Sequence, residues 1–385
     1  MGRRQWTCYL GSTALFLLVV QLLTGSLLLL YYQPNTREAH DSVRVIMTDI
    51  PMGWIMRSLH RHASYLLVFT VTVHTIDVLL AKTFRSRRGP TYYTGVLLLL
   101  CVLFMGFTGY LLPWDTLSVV ATAVGTGLAH DIPVLGPFIT EFLRGGSTIG
   151  SLTLPRFFAF HISMLPVVVG LVLGLHLFYI RKHGMRRPFG SRNRRVPFYP
   201  DFILRQSLVC LWTFALLLTW AILLPVELRP AGDPLAPAPE GIQPEWYFLA
   251  VYELIKLGGH LTFLSPLGIT AERLSLLLLG IGFGVFTAMP LLDRKGRGLL
   301  WKGIIWGTAL TLMALTVYAL LRSTPNTEAI ADVGDHLAAQ RLRALGFLLP
   351  FWSLVVTSTW IMIRQIRLYD RITASKDHAR NNFPF

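Results

Sequence analysis

The sequence predicts an all-α, polytopic membrane protein with about eight transmembrane helices. Three observations carry that expectation. With 53% hydrophobic and only 14% charged residues and a mean hydropathy of +0.53, the chain is too apolar for a water-soluble protein of its size. Apolar runs of about 20 residues, the length that crosses about 30 Å of hydrocarbon, recur at 9–32, 53–80, 92–112, 157–181, 203–225, 272–292, 299–321 and 344–363. The basic residues, which give a net charge of +15, fall in every second connection: Arg3 and Arg4, Lys82 to Arg88, Arg181 to Arg195, Arg294 to Lys302, and Arg364 to Arg380.

That alternation is the positive-inside pattern, so both termini are expected on the cytoplasmic face of a bacterial inner membrane. Orientation and attraction to anionic lipid account for the charge, and nucleic acid becomes an unnecessary partner. The first run is of spanning length and lacks a small-residue cleavage site, so it reads as a retained helix and not as a cleaved signal. Cys8, Cys101 and Cys210 are isolated, with no C-x-x-C or C-x-x-C-H. This argues against a disulfide framework, an iron-sulfur ligand set and the usual covalent haem c attachment.

The second run carries His60 and His74, fourteen residues apart, and the fourth carries His161 and His176, fifteen apart. At about 100° per residue, fourteen steps return to within roughly 40° of the starting face and fifteen to within roughly 60°, with about 21 Å between the members of a pair. These two runs cross the membrane in the same direction, so His60 can meet His161 near the outer side and His74 can meet His176 near the cytoplasmic side. Two imidazoles facing one another form an axial pair for haem iron, and two stacked haems fit. A lone histidine in such a helix would more simply hydrogen-bond a neighbouring helix. His62 lies about 120° from His74 around the helix and is expected not to be an axial ligand.

The first and third runs repeat the interval in glycine: Gly11 and Gly25, Gly95 and Gly109. Glycine lets a large planar group approach the backbone, which suggests clearance for a porphyrin; ordinary small-residue packing is the alternative. Arg57 and Arg156, just ahead of His60 and His161, are placed to neutralise propionates. The connections on the outer side, 33–52, 113–154, 227–271 and 322–342, are longer than the others. The third of them contains the Pro-rich AGDPLAPAPEGIQPEW, which cannot be a regular helix.

The stretches GWIMRSLH (53–60), GFTGYLLPWD (106–115), LPRFFAFH (154–161) and PEWY (244–247) resemble, in order and over essentially the whole chain, cytochrome b of the quinol:cytochrome c oxidoreductase (cytochrome bc) complexes. The resemblance implies a haem-binding four-helix bundle over 1–200 and four further helices over 201–385 that complete the quinone sites. It implies two non-covalent b haems and quinol oxidation beside the His60/His161 haem. Pro113 and the PEWY residues Pro244, Glu245, Trp246 and Tyr247 would line the outer quinone pocket, with Glu245 accepting a proton and Tyr110 beside it. A carboxylate in an apolar pocket can have its pKa raised enough for that work. One electron would leave through a Rieske-type iron-sulfur protein toward a c-type cytochrome. The other would cross to the inner haem against a field costing about 2.3 kcal/mol per 100 mV for a full crossing. It would then reduce quinone near Asp201 and His183, coupled to proton translocation in a homodimeric complex.

The fifteen-residue interval, LPWD and IRKHG (180–184) are similar to the split, photosynthetic-type branch. The fused chain and eighth helix are similar to the mitochondrial type, so the whole resembles a fused bacterial form. Asp77 stands where the family has arginine. Tyr9 stands where the split branch attaches an extra haem through cysteine, with Cys8 displaced by one. A covalent haem c at Cys8 is therefore the lesser alternative to a lipid-facing thiol. A di-haem anchor of a dehydrogenase or hydrogenase would need neither PEWY nor eight spans. A transporter of another class would be expected to show internal repeats.

Overall fold

A computed structural model of the chain describes residues 6–184, 198–239, 241–259, 270–293, 298–322, 348 and 350–368. The basic residues at 186–195 and 294–297 and those of the tail beyond 368 lie outside the described residues. The structure is helical, with no strand among those residues beyond a single bridge between Asp115 and Ala231.

Among the described residues, six helices are long and apolar enough to cross a membrane: Thr7–Leu29, Gly53–Leu80, Gly89–Tyr110, Thr153–His183, Phe198–Leu223 and Trp301–Leu321. The expected run at 272–292 is divided. Helix α11 (Ala271–Thr287) ends at Ala288, and a short α12 (Met289–Leu292) follows. Pro290, in the first turn of α12, lacks the N–H that would carry the first helix onward. The last expected run is helical over 350–368, and Trp352 there donates to Thr219 Oγ1 at 3.0 Å and packs on Trp212.

In chain order the N-terminal half contains α1 (Leu10–Leu29), α2 (Ala39–Thr48), α3 (Gly53–Leu80), α4 (Gly89–Tyr110), α5 (Thr116–His130) and α6 (Gly136–Arg144). Then come α7 (Thr153–Ala159), one π turn (Phe160–Met164) and α8 (Leu165–His183). Helix α1 packs on α3, and α4 packs on α8, so each histidine-bearing helix lies against a glycine-bearing one. The C-terminal half contributes α9 (Ile203–Leu223), α10 (Trp246–Gly259), α11, α12 and α13 (Gly298–Arg322); α9 packs on α3, and α10 on α11 and α13.

Leu17, Met47, Leu59, Leu67, Leu217 and Leu228 form the largest buried cluster, where α1, α2, α3 and α9 meet. Leu22, Leu23, Val167 and Leu171 point outward; that surface belongs in hydrocarbon, where a leucine on the outside costs nothing. At the end of α12, Asp293 is fully buried between Lys82 at 2.7 Å and Arg85 at 2.8 Å. Two of the basic residues read from the sequence as topology signals therefore also tie the second connection to the C-terminal half.

The connection at 113–154 is more regular than its sequence suggested, because α5 and α6 occupy most of it. Asp115 caps α5 by accepting from Ser118 N–H at 2.9 Å. Trp114 takes a left-handed conformation (φ 51°) just before it and is buried. The turn is clamped from the other half of the chain: Thr116 N–H donates to Pro230 O at 3.0 Å, and Gly232 N–H to Trp114 O at 2.9 Å. A Cβ on Gly232 would meet Asp115 O and Val119 Cγ2 at 2.5 Å, so only glycine fits there.

Candidate cofactor and quinol site

Each of the four glycines faces one of the four histidines. A Cβ placed on Gly11 would lie 3.4 Å from His74 Cε1. On Gly25 it would lie 3.1 Å from His60, on Gly95 3.2 Å from His176, and on Gly109 2.7 Å from His161. The protein side chain that each glycine gives room to is an imidazole. The four distances grade the consequence. Alanine at Gly11 makes an ordinary contact, whereas alanine at Gly109 must displace the His161 ring. Gly109→Ala is therefore expected to lower haem content per chain and Gly11→Ala to leave it unchanged, as read from a pyridine haemochrome titration.

A threonine stands beside three of the rings, always one residue before the facing glycine. Thr24 Oγ1 lies 2.8 Å from His60 Nδ1, Thr94 Oγ1 2.9 Å from His176 Nδ1, and Thr108 Oγ1 3.1 Å from His161 Nδ1. Each hydroxyl also sits 2.7–3.0 Å from the carbonyl four residues back, those of Val20, Pro90 and Phe104. A hydroxyl has one hydrogen to give. With that hydrogen on the carbonyl, its lone pair accepts from Nδ1–H, which leaves the Nε2 lone pair of each imidazole free for a metal.

The His60 and His161 ring centres are 6.4 Å apart with planes at 79°. Two metal–imidazole bonds of roughly 2 Å each, with the distance from each nitrogen to its ring centre, sum to about that separation. His74 and His176 are also within electrostatic reach of each other. No cluster of three or more His, Cys, Asp or Glu occurs among the described residues. A pair of neutral imidazoles thus suits an iron that brings its own equatorial ligands and not a metal held by protein alone.

The fifteen-residue interval is reconciled with the fourteen-residue one by the π turn that contains His161. Leu165 N–H reaches back five residues to Phe160 O, so this turn absorbs one residue more than an α turn. His62 turns away to α9, stacking on Trp220 at 4.4 Å and bonding Leu224 O through Nε2 at 2.8 Å.

Arg57 and Arg156 both bond backbone carbonyls. Buried Arg57 donates to Val226 O at 2.8 Å and Glu227 O at 3.3 Å, fixing the chain after α9. Arg156 donates to Phe142 O and lies over the Phe142 ring. Tyr9 stacks on Phe202 with ring centres 5.4 Å apart, and the neighbouring Cys8 is half-buried. Asp77 stands in the last turn of α3, where its carbonyl accepts from Ala81 N–H.

Glu245 sits in a cavity of about 330 Å³ lined also by Pro244 and Trp246, together with Arg61, Tyr65 and Arg229. The expected apolar surroundings are not what the carboxylate meets. It is 8% exposed and ion-paired with Arg61, and it accepts from Tyr65 Oη at 2.5 Å. Arg61 Nε also donates to Tyr65 Oη at 2.8 Å. Tyr247 and Tyr110 stand beside this cavity in an aromatic cluster with Phe107 and Phe248. Burial, and then Glu245 beside it, push the Tyr247 phenol well above its ordinary value, which keeps it protonated. Pro113 belongs to the turn of Trp114 and Asp115.

Arg61 and Tyr65 escaped the sequence reading. A charged residue inside an apolar run, directly after His60, was the available signal. On the other face, Asp201 is buried and paired with Arg205 at 2.7 Å, and His183 stacks on Tyr179 at the end of α8. Asp201 is thus no solvated loop residue.

Known proteins bear on this arrangement. The family model described as Cytochrome b/b6/petB matches residues 4–184, and that described as Cytochrome b(C-terminal)/b6/petD matches residues 231–339. A cytochrome bc complex cytochrome b subunit of Chlorobaculum thiosulfatiphilum is 38% identical over 292 residues, 74% of this chain and 66% of that relative. Cytochrome b6 of Tupiella akineta is 39% identical over 179 residues, 46% of this chain and 83% of the relative. A solved structure titled Hyperthermophilic respiratory Complex III shares the fold, with a TM-score of 0.69 and 24% identity over 94% of this chain and 93% of the other. With both family segments on one polypeptide and a relative 38% identical over 74% of it, the chain belongs to the cytochrome b/b6 family, in its fused form.

Proposed function

We propose that this chain is the cytochrome b subunit of a quinol:cytochrome c oxidoreductase, oxidising quinol at the Glu245 cavity and passing electrons across the membrane. The observation that carries the reading is the pairing of four glycines with four histidines, three of whose rings are turned by threonine so that Nε2 is free. His60 and His161 would hold one haem b and His74 and His176 the other. When bound, the two haems supply one-electron carriers stacked across the bilayer.

The protein's own part is to place a proton acceptor beside the upper pair. Glu245 is reached from the cavity, and its carboxylate is neutralised by Arg61, so it can lie in a low-dielectric site without an unpaired charge. Quinol entering the cavity would give Glu245 a proton, as general-base catalysis requires. The electron released with it would pass to a Rieske-type iron-sulfur protein and then to a c-type cytochrome. By the same reading Asp201 and His183 serve a quinone site near the His74/His176 pair, the complex is a homodimer in a bacterial inner membrane with both chain termini cytoplasmic, and the redox cycle translocates protons. Cys8 carries no haem.

Quinol:cytochrome c reductase activity, measured in membranes, tests the catalytic assignment. Glu245→Gln keeps the shape and removes the base, so turnover should fall about 10²-fold with both haem bands intact. Unchanged turnover and unchanged response to outer-site inhibitors would overturn it.

A further inference from the structure

Besides Arg61, Glu245 has a second partner in the cavity, the hydroxyl of Tyr65, that the proposed reaction does not by itself require. Tyr65 lies in α3, one helical turn beyond Arg61, and it closes a three-membered ring of contacts. Arg61 Nε donates to Tyr65 Oη at 2.8 Å, Tyr65 Oη donates to Glu245 Oε2 at 2.5 Å, and Arg61 Nη2 donates to Glu245 Oε1. Both carboxylate oxygens therefore have a donor, and the phenol is held from both sides. The i,i+4 spacing of Arg61 and Tyr65 puts them on one face of α3, 180 residues or more from Glu245 in the chain.

We propose that Tyr65 is a positioning residue for Glu245, a hydrogen-bond latch that holds the ionised carboxylate toward the cavity and lets go when the carboxylate is protonated. This rests on the reading of Glu245 as the acceptor of a quinol proton. In that step a quinol O–H bond breaks and its proton bonds to a Glu245 oxygen, while the electron goes to the external one-electron acceptor.

Protonation at Oε2 turns an acceptor into a donor facing the Tyr65 hydroxyl, so the phenol hydrogen must turn away from it. It also removes the charge that Arg61 pairs with. Both charge-assisted contacts are lost together, freeing the carboxyl group to turn away and release its proton elsewhere. The groups that face or act on Glu245 are Arg61 and Tyr65 from α3, Tyr110 from α4, Arg229 from the preceding loop and Tyr247 from its own helix; Asp115 acts on Arg61. Among them Tyr65 alone donates a hydroxyl hydrogen to the carboxylate in the described residues.

The test compares Tyr65→Phe, Tyr65→Gln and Glu245→Gln in the assembled complex, with haem spectra as the check on folding. Tyr65→Phe retains the ring and loses the donor. Its kcat should fall about tenfold with KM unchanged. Tyr65→Gln keeps a donor and should restore the parent kcat. If Glu245→Gln lowers turnover about 10²-fold while Tyr65→Phe leaves kcat in place, the latch is overturned and the acceptor role stands. If Glu245→Gln itself has no effect, both fall.

Discussion

Replacing His161 by leucine is expected to remove one of two haem bands and leave the other. Leucine fills the volume and keeps the helix apolar, so α8 should still insert and pack on α4, but it offers iron no lone pair. The opposing His60 remains, held by Thr24 Oγ1 at 2.8 Å and, through its backbone carbonyl, by Gln21 Nε2 at 2.7 Å. One imidazole is half of an axial set that was built for two rings 6.4 Å apart. The lower pair lies about 21 Å away along the helices, and His176 keeps its own Thr94 contact. Haem content should therefore fall from about two to about one per chain by pyridine haemochrome assay, and quinol oxidation should be lost by at least about 10²-fold. Retention of both bands would disprove the pairing. His62→Leu supplies the contrast: it loses the Trp220 stack and the Leu224 bond and should keep both haems.

How much of this was legible before the structure depends on whether the information is local. The membrane helices and the two histidine intervals follow from runs and periods within single segments, and the helices appear where the runs are. The glycine interval was visible too, although its partner was not. Only helix packing reveals that each faces an imidazole. The same blindness hid the threonines. Thr24-Gly25, Thr94-Gly95 and Thr108-Gly109 repeat one dipeptide at three of the four positions, a pattern that acquires meaning once Nδ1 of the facing ring is known to lie 2.8–3.1 Å away.

Arg61 and Glu245 are further from reach. They are separated by 184 residues, and nothing in either segment names the other. Glu245 was accordingly expected in apolar surroundings, whereas its neighbours are a guanidinium and a phenol. The bonds of Arg57 and Arg156 to loop carbonyls were out of reach for a related reason. A cation near a ligand suggests an anion, but a buried guanidinium has five N–H groups to satisfy, and backbone carbonyls of loops satisfy them here. The divided helix at Ala288 was foreshadowed by Pro290, which the hydropathy of the run overrode.

The interval of fifteen residues between His161 and His176 leads to the second large expected effect. On a continuous α-helix fifteen residues overshoot four turns by roughly 60°, whereas fourteen fall short by roughly 40°, so the two helices would present their rings about 100° apart. One residue absorbed in the Phe160–Met164 turn brings α8 into step with α3. Pro166 supplies a cause: it has no N–H to give Ile162 O, and its ring presses on that carbonyl, so the turn opens to the wider bond from Leu165 to Phe160. The relation is asymmetric and can be checked. Deleting Ser163 together with Pro166→Ala shortens the interval to fourteen on an uninterrupted helix, and both haems should be retained. Inserting one alanine between Leu171 and Val172 lengthens it to sixteen and turns one histidine about 100° off its partner. Haem content should then drop to about one per chain while the protein still inserts, because an added alanine suits a transmembrane helix. Equal haem loss in both variants would mean that the π turn is incidental to the spacing; loss only on insertion would mean that α8 carries a fourteen-residue site in fifteen residues.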